Sequence, residues 1–125
     1  MGDLSDEQRT PRVSRADVER IVRRDFPAAD YANVLTILDE YGNENGNEGS
    51  STRVQVAALK LALGDVKKLR RHIATARQDY RDVLSAAEYP MASVRLSAMN
   101  SLSEKERQNM YDSDWDQYQQ WLEHR

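Results

Sequence analysis

Residues 52–65, TRVQVAALKLALGD, decide the fold. At helical spacing, Val54, Ala57, Ala58 and Leu61 mark one face of this segment, while Val56, Leu59 and Leu63 mark the opposite one. A surface helix needs a single apolar stripe, whereas a helix that is apolar on both sides is buried on both sides. Residues 53–63 therefore belong at the centre of the molecule, with other elements packed on each flank. Gly64 is expected to end this helix in a left-handed cap, and Asp65 to cap the helix that follows.

Toward the C-terminus, Val66, Leu69, Ile73, Ala76, Tyr80, Val83, Leu84 and Ala87 hold one stripe as far as Tyr89-Pro90. Asp79 and Asp82 have the spacing of a second cap, so one long helix and two helices broken near Gln78 are both open. After Pro90, the run MASVRLSAMNSL offers apolar positions at Val94, Ala98, Met99 and Leu102, but its serines and asparagine weaken a helix. Ser103 then opens a capping box with Glu106, and a helix should run on through Met110 and Tyr111. Trp115, Tyr118, Trp121 and Leu122 share a helical face near the C-terminus.

Toward the N-terminus, Ser14 and Asp17 resemble a capping box ahead of the stripe Val18, Ile21 and Val22, which stops before Phe26-Pro27. Pro27 suits the first turn of a second helix, because its missing N–H is one that a helix start leaves unpaired. Tyr31, Val34, Leu35, Leu38 and Tyr41 follow on one face, and Gly42 is the expected left-handed cap. The run NENGNEGSS, residues 43–51, is read as a flexible loop, and residues 1–13 as a loosely attached arm. No stretch alternates as a strand does. The expected fold is all-α: one compact domain over residues 14–125 with five to seven helices, as a bundle or a short stack of helical hairpins.

With 125 residues, 39% of them hydrophobic, the chain can build one modest core and hardly a second. The absence of cysteine excludes disulfides, thiolate zinc sites and cysteine nucleophiles, and agrees with a reducing compartment. No apolar run reaches membrane-spanning length, and the polar N-terminus lacks a signal core, so a cytoplasmic protein without membrane contact is expected.

Little site chemistry is on offer. His72 and His124 have no metal-ligand spacing, and the cations of KKLRRH disfavour protonation of His72. Asp112, Asp114, Asp116 and Glu123 fit positions 1, 3, 5 and 12 of a calcium loop, yet Gln117 stands where glycine is required and the aromatics demand a helix. Capping of a helix start by Asp112 or Asp114 explains these acids better. Asn43, Asn45 and Asn47 also have calcium-loop spacing, but Val54 occupies the position of the bidentate glutamate. The glycines fit no phosphate cradle, and neither histidine has a serine nearby in sequence. No catalytic residue, metal or cofactor is nominated.

Three blocks, VQVAALKLALGDVKKL from Val54, DYRDVLSAAEYP from Asp79 and DSDWDQYQQWL from Asp112, together resemble a family of small bacterial cytoplasmic helical proteins. RADVERIVRRDFP from Arg15 and ILDEYG from Ile37 are similar to the same family. The resemblance implies a cytoplasmic helical protein and brings no activity, ligand or catalytic residue with it.

Charge is unevenly spread. Residues 1–52 carry a net −5, residues 53–81 a net +6, and residues 82–125 a net −4. Within the basic island, Lys67, Lys68, Arg70 and Arg71 form a dense run that Arg77 and Arg81 continue. These cations suit an anionic partner, or a solvated face whose stems cover the core. Trp115, Tyr118 and Trp121 either dock into the core or serve as interface anchors. The function expected first is a non-enzymatic protein-interaction module, a regulator, adaptor or neutralising partner of another bacterial protein, with homodimerisation open. The alternative is a nucleic-acid-associated protein using the helix around 67–81, opposed by the acidic total and the missing helix-turn-helix signature. An enzyme or small-ligand binder comes third.

Overall fold

The computed structural model describes residues 10–44, 51–94 and 102–124, and in them the fold is all-α, with six α-helices and no strand. They are α1 (Arg15–Asp25), α2 (Tyr31–Glu44), α3 (Ser51–Ala62), α4 (Val66–Glu88), α5 (Pro90–Val94) and α6 (Glu104–Glu123). Most of the expected loop at 43–51, the first nine residues of the expected arm, and Ala98 and Met99 lie outside the described residues. Residues 10–13 of that arm are seated on the domain, where Pro11 is buried and Val13 packs against the core.

The centre is α3. Val54, Val56, Ala57, Ala58, Leu59 and Ala62 are all buried, so both of its faces are covered as the sequence requires. α4 folds back along α3 as the second arm of a hairpin, and α1 and α2 also pack against α3. One core cluster joins Ile21 of α1, Leu38 and Tyr41 of α2, α3, Leu69 and Ile73 of α4, and Tyr118 and Leu122 of α6. Each such aliphatic side chain contributes about 1.5–3 kcal/mol by leaving water. A smaller cluster under α5 holds Ala92 and Met110 against Tyr89, Leu102 and Tyr111.

The α3–α4 turn needs its glycine twice over. Gly64 has φ +76°, and a Cβ there would stand 2.5 Å from the carbonyl oxygen of Asp25, at the end of α1. Asp65 is extended and accepts N–H bonds from Lys67 (2.8 Å) and Lys68 (3.3 Å), as an N-cap should. Leu63 departs from expectation: it is 76% exposed, with φ +53°, because the left-handed turn begins one residue before the glycine and swings it off the helical face.

Gly42 is also corrected. α2 runs past it to Glu44 and Gly42 has no positive φ, since an interior glycine costs a helix only about 1 kcal/mol and Tyr41 is still buried there. Pro27 stands earlier than expected, capping a 3₁₀ turn at Ala28–Asp30 that leads into α2.

The open question in α4 is resolved by a break at Asp79, whose φ of −158° and ψ of 100° leave the helical region. Its carboxylate accepts the Arg81 N–H at 3.0 Å, so Asp79 caps the second arm. At Ser103 and Glu106 the capping box forms as expected: Glu106 N–H donates to the Ser103 hydroxyl and Ser103 N–H to the Glu106 carboxylate. Because α6 already starts there, Asp112 and Asp114 lie inside it and cannot cap it. Asp114, buried, instead accepts the Met91 and Ala92 N–H groups at 3.0 and 2.9 Å, capping α5 from another helix.

Two further polar groups enter the core with partners. Gln55 donates to the Leu38 carbonyl at 2.6 Å, and buried Glu88 takes both the Nε (2.8 Å) and an Nη of Arg53. Charged pairs of this kind are costly to break from one side, because the remaining ion stays buried. Arg53→Met is expected to cost about 3 kcal/mol in denaturant unfolding, more than Arg53→Met combined with Glu88→Leu. Gly64→Ala is expected to cost roughly 2–4 kcal/mol, from the left-handed backbone and the Asp25 contact together, whereas Leu63→Gly should raise stability by about 1 kcal/mol. The midpoints of chemical unfolding check both.

Candidate functional site

Several helix ends meet at one end of the domain. Gly64 abuts Asp25, so the α3–α4 turn lies on the C-terminus of α1. Arg70 near the start of α4 reaches Asn33 near the start of α2 at 3.2 Å. The last turn of α6 joins them, and two grooves result. Arg24, Asp25, Lys60, Leu63 and Trp121 line one of about 330 Å³. Arg20, Arg23, Arg24 and Glu123 line the other, of about 570 Å³. Arg24 borders both.

α1 fixes the end of α6 by guanidinium bonds to its last carbonyls. Arg20 donates to the carbonyl oxygens of Leu122 (2.7 Å) and His124 (3.3 Å), and Arg24 to those of Trp121 (2.7 Å) and His124 (2.6 Å). A helix C-terminus leaves carbonyls unpaired and carries partial negative charge, so both arginines are favourably placed. Arg24 also pairs with Asp25 at 2.7 Å and lies 4.9 Å from the centre of the Trp121 ring.

The first four cations of α4 are placed differently. Lys67, Arg70 and Arg71 are exposed and Lys68 is half-buried, and none forms an ion pair among the described residues. Lys67 and Lys68 lie in the first turn of the helix, where the dipole is positive and cations are disfavoured, and that turn holds no acid; Arg70 and Arg71 follow in the next turn. Asp65 opposes them from the cap, and the N–H bonds from Lys68 and Lys67 hold its carboxyl below the usual range. Partial burial, then Arg71 and Lys68, push the His72 pKa below its ordinary value, so His72 stays neutral at neutral pH.

Arg77 and Arg81 are exposed further along, on opposite sides of the Asp79 break. Arg81 is engaged with the Asp79 carboxylate at 2.9 Å. The basic run of 67–81 is therefore not one uniform face. Arg81 also lines a cleft of about 320 Å³ with Thr10, Arg53, Leu84, Ser85 and Tyr89.

The three aromatics have different fates. Tyr118 is 1% exposed in the core, its hydroxyl has no hydrogen-bond partner among the described residues, and burial pushes its phenol far up. Trp115 is half-buried. Trp121 is half-buried too, packs on the core and against Tyr118 at 5.8 Å between ring centres, and shows its remaining surface to the groove beside Leu63. The structure thus brings Trp121 to the same end as Lys67 and Arg70, and withdraws Tyr118 from any partner.

Sequence reasoning missed Leu63, Lys60 and Arg24. Leu63 continued an apolar stripe and so read as core; its place directly before a capping glycine was the available signal. Lys60 and Arg24 gain their positions only from contacts between distant elements. Among the described residues no group of three or more His, Asp or Glu side chains gathers at metal-binding distance. Comparison with protein-family models, curated proteins and solved structures finds no match.

Caps make the stability of α4 pH-dependent. A carboxyl whose folded pKa is depressed stabilises the fold above its unfolded value and loses that contribution as pH falls through the folded one. Asp65 and Asp79 are both depressed from 3.8, so stability should hold above that pH and fall below it. Asp65→Asn, which keeps a capping oxygen, is expected to reduce the loss of melting temperature on acidification below pH 3.8 relative to wild type.

Proposed function

We propose that the protein is a non-enzymatic interaction module that binds an acidic partner protein, acting as its regulator, adaptor or neutralising partner in the bacterial cytoplasm. The cationic run Lys67, Lys68, Arg70 and Arg71, which forms no ion pair among the described residues, carries this reading. Four cations opposed by the single cap carboxylate of Asp65 carry excess positive charge at the start of a helix, where the dipole disfavours it, and such a local conflict points to a surface kept for a ligand. Exposed Leu63 and half-buried Trp121 lie at the same end and supply apolar area. Apolar area bordered by cations matches a protein surface better than a phosphate backbone. The bacterial and cytoplasmic setting is supported by the family resemblance of the three sequence blocks, and among the described residues no helix is long and apolar enough to cross a membrane.

Nucleic-acid binding is the second reading, on the same cations. The break at Asp79 and the engagement of Arg81 shorten the face it would use, and the acidic flanks oppose it. Combined Lys67→Glu, Arg70→Glu and Arg71→Glu is expected to leave the melting temperature within a few degrees of wild type. It should abolish co-purification of a stoichiometric partner protein from nuclease-treated bacterial lysate. Recovery of nucleic acid alone, lost as salt is raised, would instead favour the second reading.

A further inference from the structure

We propose that Leu63 and Lys60 form the specificity point of this surface, taking an acidic amphipathic segment of the partner, with an apolar side chain against Leu63 and Trp121 and a carboxylate on Lys60. The inference rests on the interaction reading above and deepens it.

Two violations of ordinary folding rules coincide at Leu63. It is the only non-glycine residue with positive φ among those described, and it is the most exposed large hydrophobic side chain. Either asparagine or glycine would relieve the backbone and remove the exposed apolar area, so leucine here serves neither the turn nor the core. A residue that costs the fold on both counts is explained by a contact made outside it. Leu63 lines a groove together with Trp121, a side chain of the type that anchors interfaces.

Lys60 supplies the chemistry of the partner. One turn before Leu63 on α3, it is half-buried in the same groove and makes no hydrogen bond or ion pair among the described residues. Burial lowers its pKa from 10.5, with the already-capping Asp114 as the acid acting against that shift. A half-desolvated ammonium without a partner gains most from a carboxylate brought to it. The rest of the rim is consistent in sign. Arg24 is engaged by Asp25 and Arg20 by Asp17 and the α6 carbonyls, so neither acid is left to pair with Lys60, and exposed Arg23 stands beside Glu123. Phosphate is the poorer fit, because the apolar half of the groove would face it. A carboxylate one helical turn from a leucine or aromatic side chain would meet both halves together.

The test uses the full chain against a displayed library of random peptides of about twelve residues, long enough for the apolar and acidic anchors of a docked helix. The enriched peptides are synthesised and titrated against wild type, Leu63→Gly, Lys60→Glu and the remote control Glu40→Lys. The expected peptides pair an apolar residue with Asp or Glu three or four positions away. Leu63→Gly should weaken them about tenfold or more without lowering the melting temperature, which separates lost binding from lost folding. Lys60→Glu should weaken them similarly and recover binding when the peptide acid is replaced by Lys, while Glu40→Lys leaves affinity unchanged. Peptides without acids, no enrichment at all, or equal binding by wild type and Leu63→Gly would overturn the site. A natural partner protein retained by Leu63→Gly but lost on reversal of the α4 cations would refute this site and leave the interaction module standing. Retention by both variants would refute the two together.

Discussion

Everything in this fold depends on the burial of α3 on both faces. A helix with Val54, Ala57 and Ala58 on one side and Val56 and Leu59 on the other cannot rest on a single layer, so the chain must supply elements to either side of it. The tight Leu63–Asp65 turn returns α4 along one flank, and α1 and α2 take positions against the remaining surface. The same constraint explains the polar residues of α3. Gln55 and Arg53 enter a crowded interior, and each is satisfied by a partner on another helix, the Leu38 carbonyl and Glu88. These bonds fix how neighbours are seated on α3 as well as offsetting the cost of burial.

The later elements are attached by side chains that cap helices other than their own. Arg20 and Arg24 close the last turn of α6, and Asp114 of α6 closes the first turn of α5. The arginine bonds tie residues about a hundred positions apart and add to the apolar burial of Tyr118 and Leu122 in closing so charged a sequence into one domain. They also gather cationic groups at one end. There Arg20 and Arg24 of α1 are compensated by carbonyls, while Lys67, Lys68 and Arg71 of α4 and Lys60 of α3 form no ion pair among the described residues, and that difference singles out a candidate surface on a molecule without metal-ligand clusters among its described residues.

Helix existence was legible because it follows from local periodicity: the double-sided α3, the stripe of α4, the Ser103–Glu106 box and the Asp65 cap are all written within a few residues of where they act. Gly42 and Leu63 misled for one common reason. Whether a glycine stops a helix, and at which residue the turn begins, is decided by what the next element must reach, and that is tertiary information. The same holds for Asp114, whose acidity was visible but whose client, the start of α5, is brought to it only by folding. Of the candidate site, the basic residues of α4 could be read directly, and Trp121 could be named but not separated from Tyr118. Lys60 and Arg24 could not be found, because their importance lies in which partners they have or lack in space.

The account stands most directly on α3 being the last part of the molecule to open. Native-state hydrogen exchange under mild denaturant measures this helix by helix. Amides from Val56 to Ala62 are expected to exchange only through global unfolding, with a free energy equal to that of denaturation, while those of α5 and α6 exchange through smaller openings. Exchange of the α3 amides by local opening, at a lower free energy than those of α6, would contradict it.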